Sequence, residues 1–175
     1  MELTKWAIDP THSEVQFKVK HLVITTVTGH FGEFSGSVEA NETFETINAS
    51  FEAEIASIST NNEQRDGHLK SGDFFDAENH PKLTFKSTSL DKKEGNEFNL
   101  NGEISIRGTV KPITLSVSYE GTATDPWGNI KAGFEINGKI NRHDFGLTWG
   151  ALTEAGGAVV SDEVKLHANI QLVKQ

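Results

Sequence analysis

The chain has 175 residues, which is enough for about one domain with a substantial apolar core. Its 16 lysines and arginines stand against 25 acidic residues, and this net charge of −9 argues against a nucleic-acid partner, which needs clustered cations. Cysteine is absent, which excludes disulfides, thiol catalysis and cysteine-ligated zinc, and no run of about 18 apolar residues predicts a membrane span.

The first residues lack the pattern of a secretory signal, which needs a basic head and an apolar run of about 7–15 residues. Residues 1–5 are mostly polar, and Trp6-Ala7-Ile8 already has the pattern of a strand. We therefore expect a cytoplasmic protein. A periplasmic protein whose signal peptide had been removed would have the same N-terminus.

Apolar and polar side chains alternate along most of the chain, as they do in strands with one buried face. The alternation begins at residues 6–8 and predicts about eight or nine strands. The further predicted strands cover residues 14–20, 31–40, 47–55, 83–85, 98–106, 113–119, 132–140 and 163–172. Turn-forming residues at 41–43, 92–96 and 125–128 separate several of them.

Strands with one apolar face are typically antiparallel, and several of these strands are about ten residues long, above the usual five or six. Long strands of this kind favour an extended, closed eight-stranded antiparallel barrel, because closure leaves no exposed edge. A two-sheet sandwich is the alternative. No repeat, low-complexity tract or linker divides the chain, so the sequence predicts an all-β single domain over residues 1–175.

One short helix interrupts the strands. Thr60-Asn61-Asn62-Glu63 has the spacing of a capping box and Gly72 suits the end of a helix, which predicts a helix over residues 64–71. Phe74 and Phe75 follow directly. We expect this aromatic turn to lie over one end of the barrel, as a plug of the core or as a lid over a cavity.

The second irregular segment covers residues 145–162 and contains four glycines and Trp149. Long segments without regular structure are often lids or binding loops, and a disordered hairpin tip is the alternative.

Sequence motifs for catalysis are absent. There is no nucleophile elbow, phosphate-binding loop or calcium loop, and the seven histidines show neither H-x-H nor H-E-x-x-H spacing. His167 lies on the polar face of a strand and is expected to be solvated. Asp66 and His68 could pair as acid and base, but on a polar helix they are expected to be surface groups. The sequence therefore predicts neither catalytic residues nor a metal site.

The predicted interior is rich in small residues, and an eight-stranded barrel either fills with side chains or holds one small ligand. These residues could leave room for a ligand, or they could face large side chains and complete the packing. The set comprises Ala49, Ala53, Gly102, Ala132, Gly138 and Ala168.

A series of short motifs resembles the YceI-like family of bacterial polyisoprenoid-binding proteins, in family order and over essentially the whole chain. The motifs are Trp6-Ala7-Ile8-Asp9, His12-Ser13, Phe17, His21, Gly32 with Phe34, Ser59-Thr60, Arg65-Asp66-Gly67-His68-Leu69, Asp73-Phe74-Phe75-Asp76, Pro81 with Thr84-Phe85, Ile106-Arg107-Gly108-Thr109-Val110-Lys111 and Arg142-His143-Asp144-Phe145-Gly146-Leu147.

The resemblance implies an extended lipocalin-like barrel with a long apolar pocket for an isoprenoid chain, such as a quinone tail or a polyprenyl lipid. It implies a carrier, buffer or storage protein that is not an enzyme and has no cofactor beyond the bound lipid. Homodimers and at most transient membrane contact are also expected. The alternatives are a structural or stress-related interaction protein with a filled barrel and an enzyme acting on an isoprenoid lipid.

The expected ligand-binding residues are apolar members of the alternating strands, with three aromatic residues at the mouth or lid. They are Phe17, Val19, Phe51, Phe85, Leu100, Ile104, Leu115, Val117, Phe134, Ile136 and Leu166, with Phe74, Phe75 and Trp149 as mouth or lid residues. Charged residues in the motifs are expected to tie the helix and loops to the barrel, and a role in orienting a polar head group is the alternative. These are Arg65, Asp66, Arg107, Arg142 and Asp144.

Overall fold

A computed structural model describes residues 2–148 and 160–175, and this part of the chain contains eleven strands and one α-helix. In chain order they are β1 (Thr4–Ile8), β2 (Glu14–His21), β3 (Thr25–Phe31), β4 (Phe34–Ala40), β5 (Ile47–Glu54), β6 (Ile58–Ser59), α1 (Glu63–Lys70), β7 (Lys82–Lys92), β8 (Glu97–Ile106), β9 (Thr109–Thr124), β10 (Ile130–Asn141) and β11 (Glu163–Lys174).

The strand segments form eight continuous strands of a closed barrel, because three pairs of segments lie end to end. β1 and β2 both pair with β11, while β4 and β3 pair with β1 and β2 in turn. β6 follows β5 after one 3-10 turn and pairs with β3. All neighbours are antiparallel, so the predicted eight-stranded antiparallel barrel is confirmed.

The break between β1 and β2 is bridged by a side chain. The 3-10 turn Pro10–His12 lifts the backbone away from β11. The backbone N–H of Asp9 donates to the carbonyl of Gln171 at 2.9 Å, and the N–H of Gln171 donates to Oγ of the buried Ser13 at 2.9 Å. The Ser13 hydroxyl therefore replaces a missing backbone acceptor, as buried N–H groups require.

β3 was not predicted as a separate strand; residues 31–40 were expected to form one segment. The structure divides this region into β3 and β4 on either side of Gly32 and Glu33. The alternation in β3 is hidden because Gly29 occupies a position opposite Phe17. A Cβ atom on Gly29 would lie 2.2 Å from Cζ of Phe17, so any side chain here would force the Phe17 ring to move.

The helix is confirmed, but its predicted N-terminal cap is wrong. Asn62 is the N-cap and accepts from the N–H of Arg65 at 3.0 Å, and Ser71 is the C-cap, directly before the predicted stop at Gly72. Thr60 instead donates its hydroxyl to Asp66 at 2.5 Å and accepts from Nε of Arg65 at 2.7 Å. None of the helices described is long and apolar enough to cross a bilayer.

Three arginines of the motif series tie the turns near α1 to the barrel. This end of the barrel, with α1, the β8–β9 turn and the β2–β3 turn, is called the helix end; the opposite end, with the β4–β5, β7–β8 and β9–β10 turns, is called the turn end. Arg65 donates to the carbonyl of Thr60 at 2.8 Å, and Arg107 donates to those of Gly146 and Gly72 at 2.6 and 2.9 Å.

Arg142 is the most buried of these arginines, with 4% of its surface exposed. It donates to the carbonyls of Leu147, Ser161 and Val160 at 2.6, 3.0 and 3.3 Å, and Asp162 lies 4.0 Å away. Burial lowers the pKa of Arg142, and Asp162 opposes that shift. The charge is therefore stabilised by carbonyl oxygens, which buried cations need as partners.

Candidate functional site

An apolar cavity of about 180 Å³ lies inside the barrel. The described side chains around it are almost all aliphatic or aromatic and come from β1 through β11, with α1 and β6 not contributing. They are Ile8, Val15, Gln16, Phe31, Val38, Ile47, Ala49, Ser50, Phe51, Leu83, Phe85, Leu100, Ile104, Ile113, Leu115, Val117, Phe134, Ile136, Leu166, His167, Ala168, Ile170 and Leu172.

The volume of this cavity sets it apart from ordinary packing defects. A cavity needs only about 10–15 Å³ to hold one water molecule, and native interiors contain few voids of that size. A space of about 180 Å³ walled almost entirely by hydrocarbon has few hydrogen-bond partners to offer water. Its chemistry therefore suits an apolar chain.

Aromatic rings close the turn end of the cavity. Phe44 projects from the β4–β5 turn, is 3% exposed, and lies 5.3 Å from the ring of Trp6, 5.2 Å from Tyr119 and 5.3 Å from Phe134. Phe134 also lines the cavity. Phe44 was not expected at the site, since its position in a turn carries no alternation signal.

A second aromatic group lies at the helix end. Phe31 lines the cavity, and its ring is 5.8 Å from that of Phe17 and 6.4 Å from that of Phe75. Phe74 packs edge-on against His68 at 5.2 Å. The aromatic turn after α1 therefore lies over this end of the barrel, as expected, and neither of its rings is part of the cavity wall.

The cavity brings together nine of the expected ligand-binding residues. These are Phe51, Phe85, Leu100, Ile104, Leu115, Val117, Phe134, Ile136 and Leu166. Phe17 and Val19 lie elsewhere: Phe17 packs over Gly29, and Val19 pairs with Val27 across the β2–β3 hairpin. Trp149 lies outside the described residues.

The small interior residues have both of the roles that the sequence left open: some leave room in the cavity, and others face large side chains. Ala49 and Ala168 line the cavity, whereas Ala53 and Ala132 are each 1% exposed and lie away from it. Gly102 accommodates a large neighbour instead, since a Cβ there would lie 2.5 Å from the ring of Phe85. The interior is therefore packed at some levels and open at others.

Polar groups at the cavity wall are few. His167 is the one titratable side chain among the described lining residues, and Nδ1 of its ring lies 2.7 Å from Oδ1 of Asn137. It is half-buried where the sequence suggested full solvation. This contact with Asn137 holds the His167 ring on the outer face of β10 and β11, next to the cavity wall.

A cluster of charged side chains lies outside the cavity. Nζ of Lys131 is 2.9 Å from Oδ2 of Asp9 and 3.8 Å from a carboxylate oxygen of Asp125. The hydrogen bond from Lys131, followed by those from Thr11 and His12, holds the pKa of Asp9 well below its usual range. This cluster joins β1 to the β9–β10 hairpin at the turn end.

The acid–base pair considered from the sequence does not form. Asp66 accepts from the N–H and hydroxyl of Thr60, while Nε2 of His68 lies 2.9 Å from a carboxylate oxygen of Asp73. Within residues 2–148 and 160–175, no three histidine or acidic side chains are grouped so that they could hold a metal ion. Asp144 is exposed beside Arg142 in a 3-10 turn.

A closed antiparallel barrel around an apolar cavity defines a class of proteins that hold hydrophobic molecules inside a β-barrel. The YceI-like domain model matches residues 6–172. The chain belongs to the YceI-like family.

Its relatives include Protein YceI of Salmonella newport (strain SL254), which is 37% identical over 167 residues, covering 94% of this chain and 83% of the relative. Among solved structures, the Campylobacter jejuni YCEI protein is 31% identical with a TM-score of 0.78, covering 90% of this chain and 91% of that one. A polyisoprenoid binding domain from Saccharophagus degradans is 16% identical with a TM-score of 0.66, covering 97% and 98%.

Proposed function

We propose that this protein binds the hydrocarbon chain of an isoprenoid lipid in the barrel cavity and acts as a non-catalytic carrier or buffer. The observation that supports the proposal is the apolar cavity of about 180 Å³ between two groups of aromatic rings. The family membership and the binding domain from Saccharophagus degradans favour an isoprenoid over other chains.

The energetics of such binding favour exchange over permanent capture. Each buried CH₂ is worth about 0.8 kcal/mol relative to water, so an isoprenoid tail could not remain free in solution. A tail in a bilayer is already out of water, and its transfer into the barrel gains little further hydrophobic free energy. A protein of this kind therefore loads from membranes and releases to them, with the final balance set by shape and chain entropy.

The polar groups of the site support binding rather than catalysis. Catalytic groups usually sit in a pocket with pKa values shifted by their surroundings. Here the pKa of Asp9 is lowered and that of Arg142 is lowered, but both side chains lie outside the cavity. The lipid is the only bound molecule that the proposed role requires. The location proposed for that role is the cytoplasm.

The experiment compares a branched and a straight chain on delipidated protein. Geranylgeraniol and stearyl alcohol are offered in detergent-free dispersion, and thermal unfolding reports binding. A ligand present at a hundredfold excess over its Kd adds about 2.7 kcal/mol. For a chain of this length, that raises the unfolding temperature by roughly 5–10 °C.

Two variants locate the binding site. Ala168→Leu places a larger side chain in the cavity and is expected to lose most of the rise in unfolding temperature caused by geranylgeraniol. Ala123→Leu, on the exposed face of β9, is expected to keep that rise. Equal shifts with both alcohols would retain a lipid-binding barrel and remove its isoprenoid preference. No shift with either alcohol, and no lipid extracted from fresh protein, would favour a barrel protein that acts through protein contacts.

A further inference from the structure

The β2–β3 turn exposes three consecutive aliphatic side chains at the helix end. Leu22, Val23 and Ile24 are 41%, 72% and 83% exposed. They connect His21 to Thr25, the last pair of the β2–β3 ladder. Contiguous exposed aliphatic side chains are unusual on a soluble surface and mark contact with a partner or a membrane. We call residues 22–24 the apolar tip.

The backbone of the tip is poorly suited to the residues it carries. Leu22 has φ 54° and Val23 has φ 65°, both in the left-handed region. Turns of β-hairpins that need positive φ are normally built from asparagine and glycine, and a β-branched residue there is a clear outlier. The side chains are therefore retained against the local conformational preference, which points to a role outside the fold.

Lysines lie directly behind the tip. Lys18 and Lys20 are exposed on β2, and Lys165 of β11 is exposed directly opposite Lys18. None of the three has a carboxylate partner in the described part of the chain, and Nζ of Lys20 donates to the hydroxyl of Thr26. Like charges directly opposite each other destabilise a ladder, so an external anion beside Lys18 and Lys165 would be stabilising.

The two acids at the start of β11 are already engaged. Asp162 lies 2.7 Å from His143 and 4.0 Å from Arg142, and Glu163 lies 3.9 Å from Lys139. Within the described residues, the strand surface directly behind the tip therefore carries lysines that have no carboxylate partner, although the whole chain has a net charge of −9.

We infer that the apolar tip inserts into the surface of a lipid bilayer, with Lys18, Lys20 and Lys165 against anionic head groups. A strand rises about 3.3 Å per residue, which places Lys20 roughly 7 Å behind Leu22. Apolar faces of interfacial elements are buried about 5–10 Å deep, so Lys20 stands at head-group level. Lys18 and Lys165 lie roughly 7 Å further back, from where long lysine side chains reach toward the head groups. Aliphatic side chains with lysines fit a bilayer better than a protein hot spot, which favours tryptophan, tyrosine and arginine.

The tip is also continuous with the ligand site. Phe17 lies on the same hairpin and packs against Phe31, which lines the cavity. Docking at this end would turn the helix end of the barrel toward the membrane, and a lipid tail that entered there would meet the Phe17, Phe31 and Phe75 rings. A role of the tip in lipid transfer rests on the proposed function, but attachment of the tip to a membrane does not.

The test is co-sedimentation of delipidated protein with vesicles of pure phosphatidylcholine and of equimolar phosphatidylcholine and phosphatidylglycerol. Binding is expected for the mixed vesicles, weakening as salt is added. The double variant Leu22→Asn, Val23→Gly is expected to lower the partition coefficient tenfold or more, because the lost carbons each contribute to insertion. Its unfolding temperature is expected to hold or rise, since asparagine and glycine suit positive φ.

Trp127→Ser is the matched control. Trp127 is 84% exposed on the β9–β10 turn at the opposite end of the barrel, and its replacement is expected to leave vesicle binding unchanged. Equal binding by wild type and the double variant would overturn the inference, as would a loss confined to Trp127→Ser. A third outcome is that the wild type is a dimer in sedimentation and the double variant is a monomer that does not bind vesicles. That result would overturn the inference and assign the tip to contact with a second copy of the chain. Ligand binding by the double variant, measured with geranylgeraniol, separates failure of docking from failure of the proposed function.

Discussion

The same substitution, alanine to leucine, should change stability in opposite directions at two sites in the barrel. Ala168 on β11 is half-buried and lines the cavity, between Val15 and Ile136 on the neighbouring strands. Ala132 on β10 is 1% exposed and lies away from the cavity. Both positions are in strands, so the intrinsic preference of leucine for strands cancels in the comparison.

The magnitudes follow from the carbon atoms that leucine adds. At residue 168, three extra carbons enter the cavity and gain about 2.4 kcal/mol at 0.8 kcal/mol each. Ordering the leucine side chain costs about 0.5–1 kcal/mol, which leaves roughly 1.5 kcal/mol and an increase of about 3–6 °C in unfolding temperature. At residue 132, the same carbons overpack the core and cost about 1–3 kcal/mol.

The assay is thermal unfolding followed by far-UV circular dichroism. The protein is delipidated first, because bound lipid would occupy the space that Ala168→Leu is meant to fill. Urea titration gives the free energy of unfolding independently. A decrease in stability for both variants would refute the reasoning, since it would show that the space beside Ala168 cannot accept three carbons without strain.

Three further changes test the ends of the barrel. Arg142→Met should lower the free energy of unfolding by about 3–5 kcal/mol in urea, because buried carbonyls lose a charged donor; a loss below about 1 kcal/mol would show that water replaces it. Asp9 has a lowered pKa through its hydrogen bond from Lys131, so its stabilisation is present above the unfolded value of 3.8 and is lost as the pH falls below it. Asp9→Asn should therefore flatten the acid limb of a plot of unfolding temperature against pH, and an unchanged limb would contradict this. Gly29→Ala should cost about 1–3 kcal/mol through its clash with Phe17, and Phe17→Leu should recover part of that loss in a double-mutant cycle.

The strands could be predicted from the sequence wherever both faces follow the alternation. β5, β8, β10 and β11 have apolar residues at every second position, and the antiparallel barrel follows from their length and one-sided character. β3 escaped prediction because Gly29 replaces an apolar side chain at the position where the ring of Phe17 needs space. That space is defined by cross-strand register, which a single sequence does not show.

The cavity could be predicted only as a set of inward-facing residues. Phe85 and Phe17 have the same kind of position in an alternating strand, yet Phe85 lines the cavity and Phe17 fills the helix end. Position along the barrel does not explain the difference, because Leu166, which pairs with Phe17, lines the cavity. The ring of Phe17 instead lies over Gly29, a contact that depends on cross-strand register. The ring of Phe44 enters the turn end from a turn, where no periodic signal exists.

The position of β11 constrains how the chain can fold during synthesis. β11 is the last strand, and it pairs with β10, β1 and β2, so Trp6 stands opposite Lys174. The barrel cannot close until β11 has left the ribosome. Until then, β1 and β2 each keep one edge unpaired. Contacts so distant in sequence make folding slow, and exposed strand edges are prone to aggregation in that interval. Under the proposed function, a lipid can be enclosed only after β11 has paired on both sides.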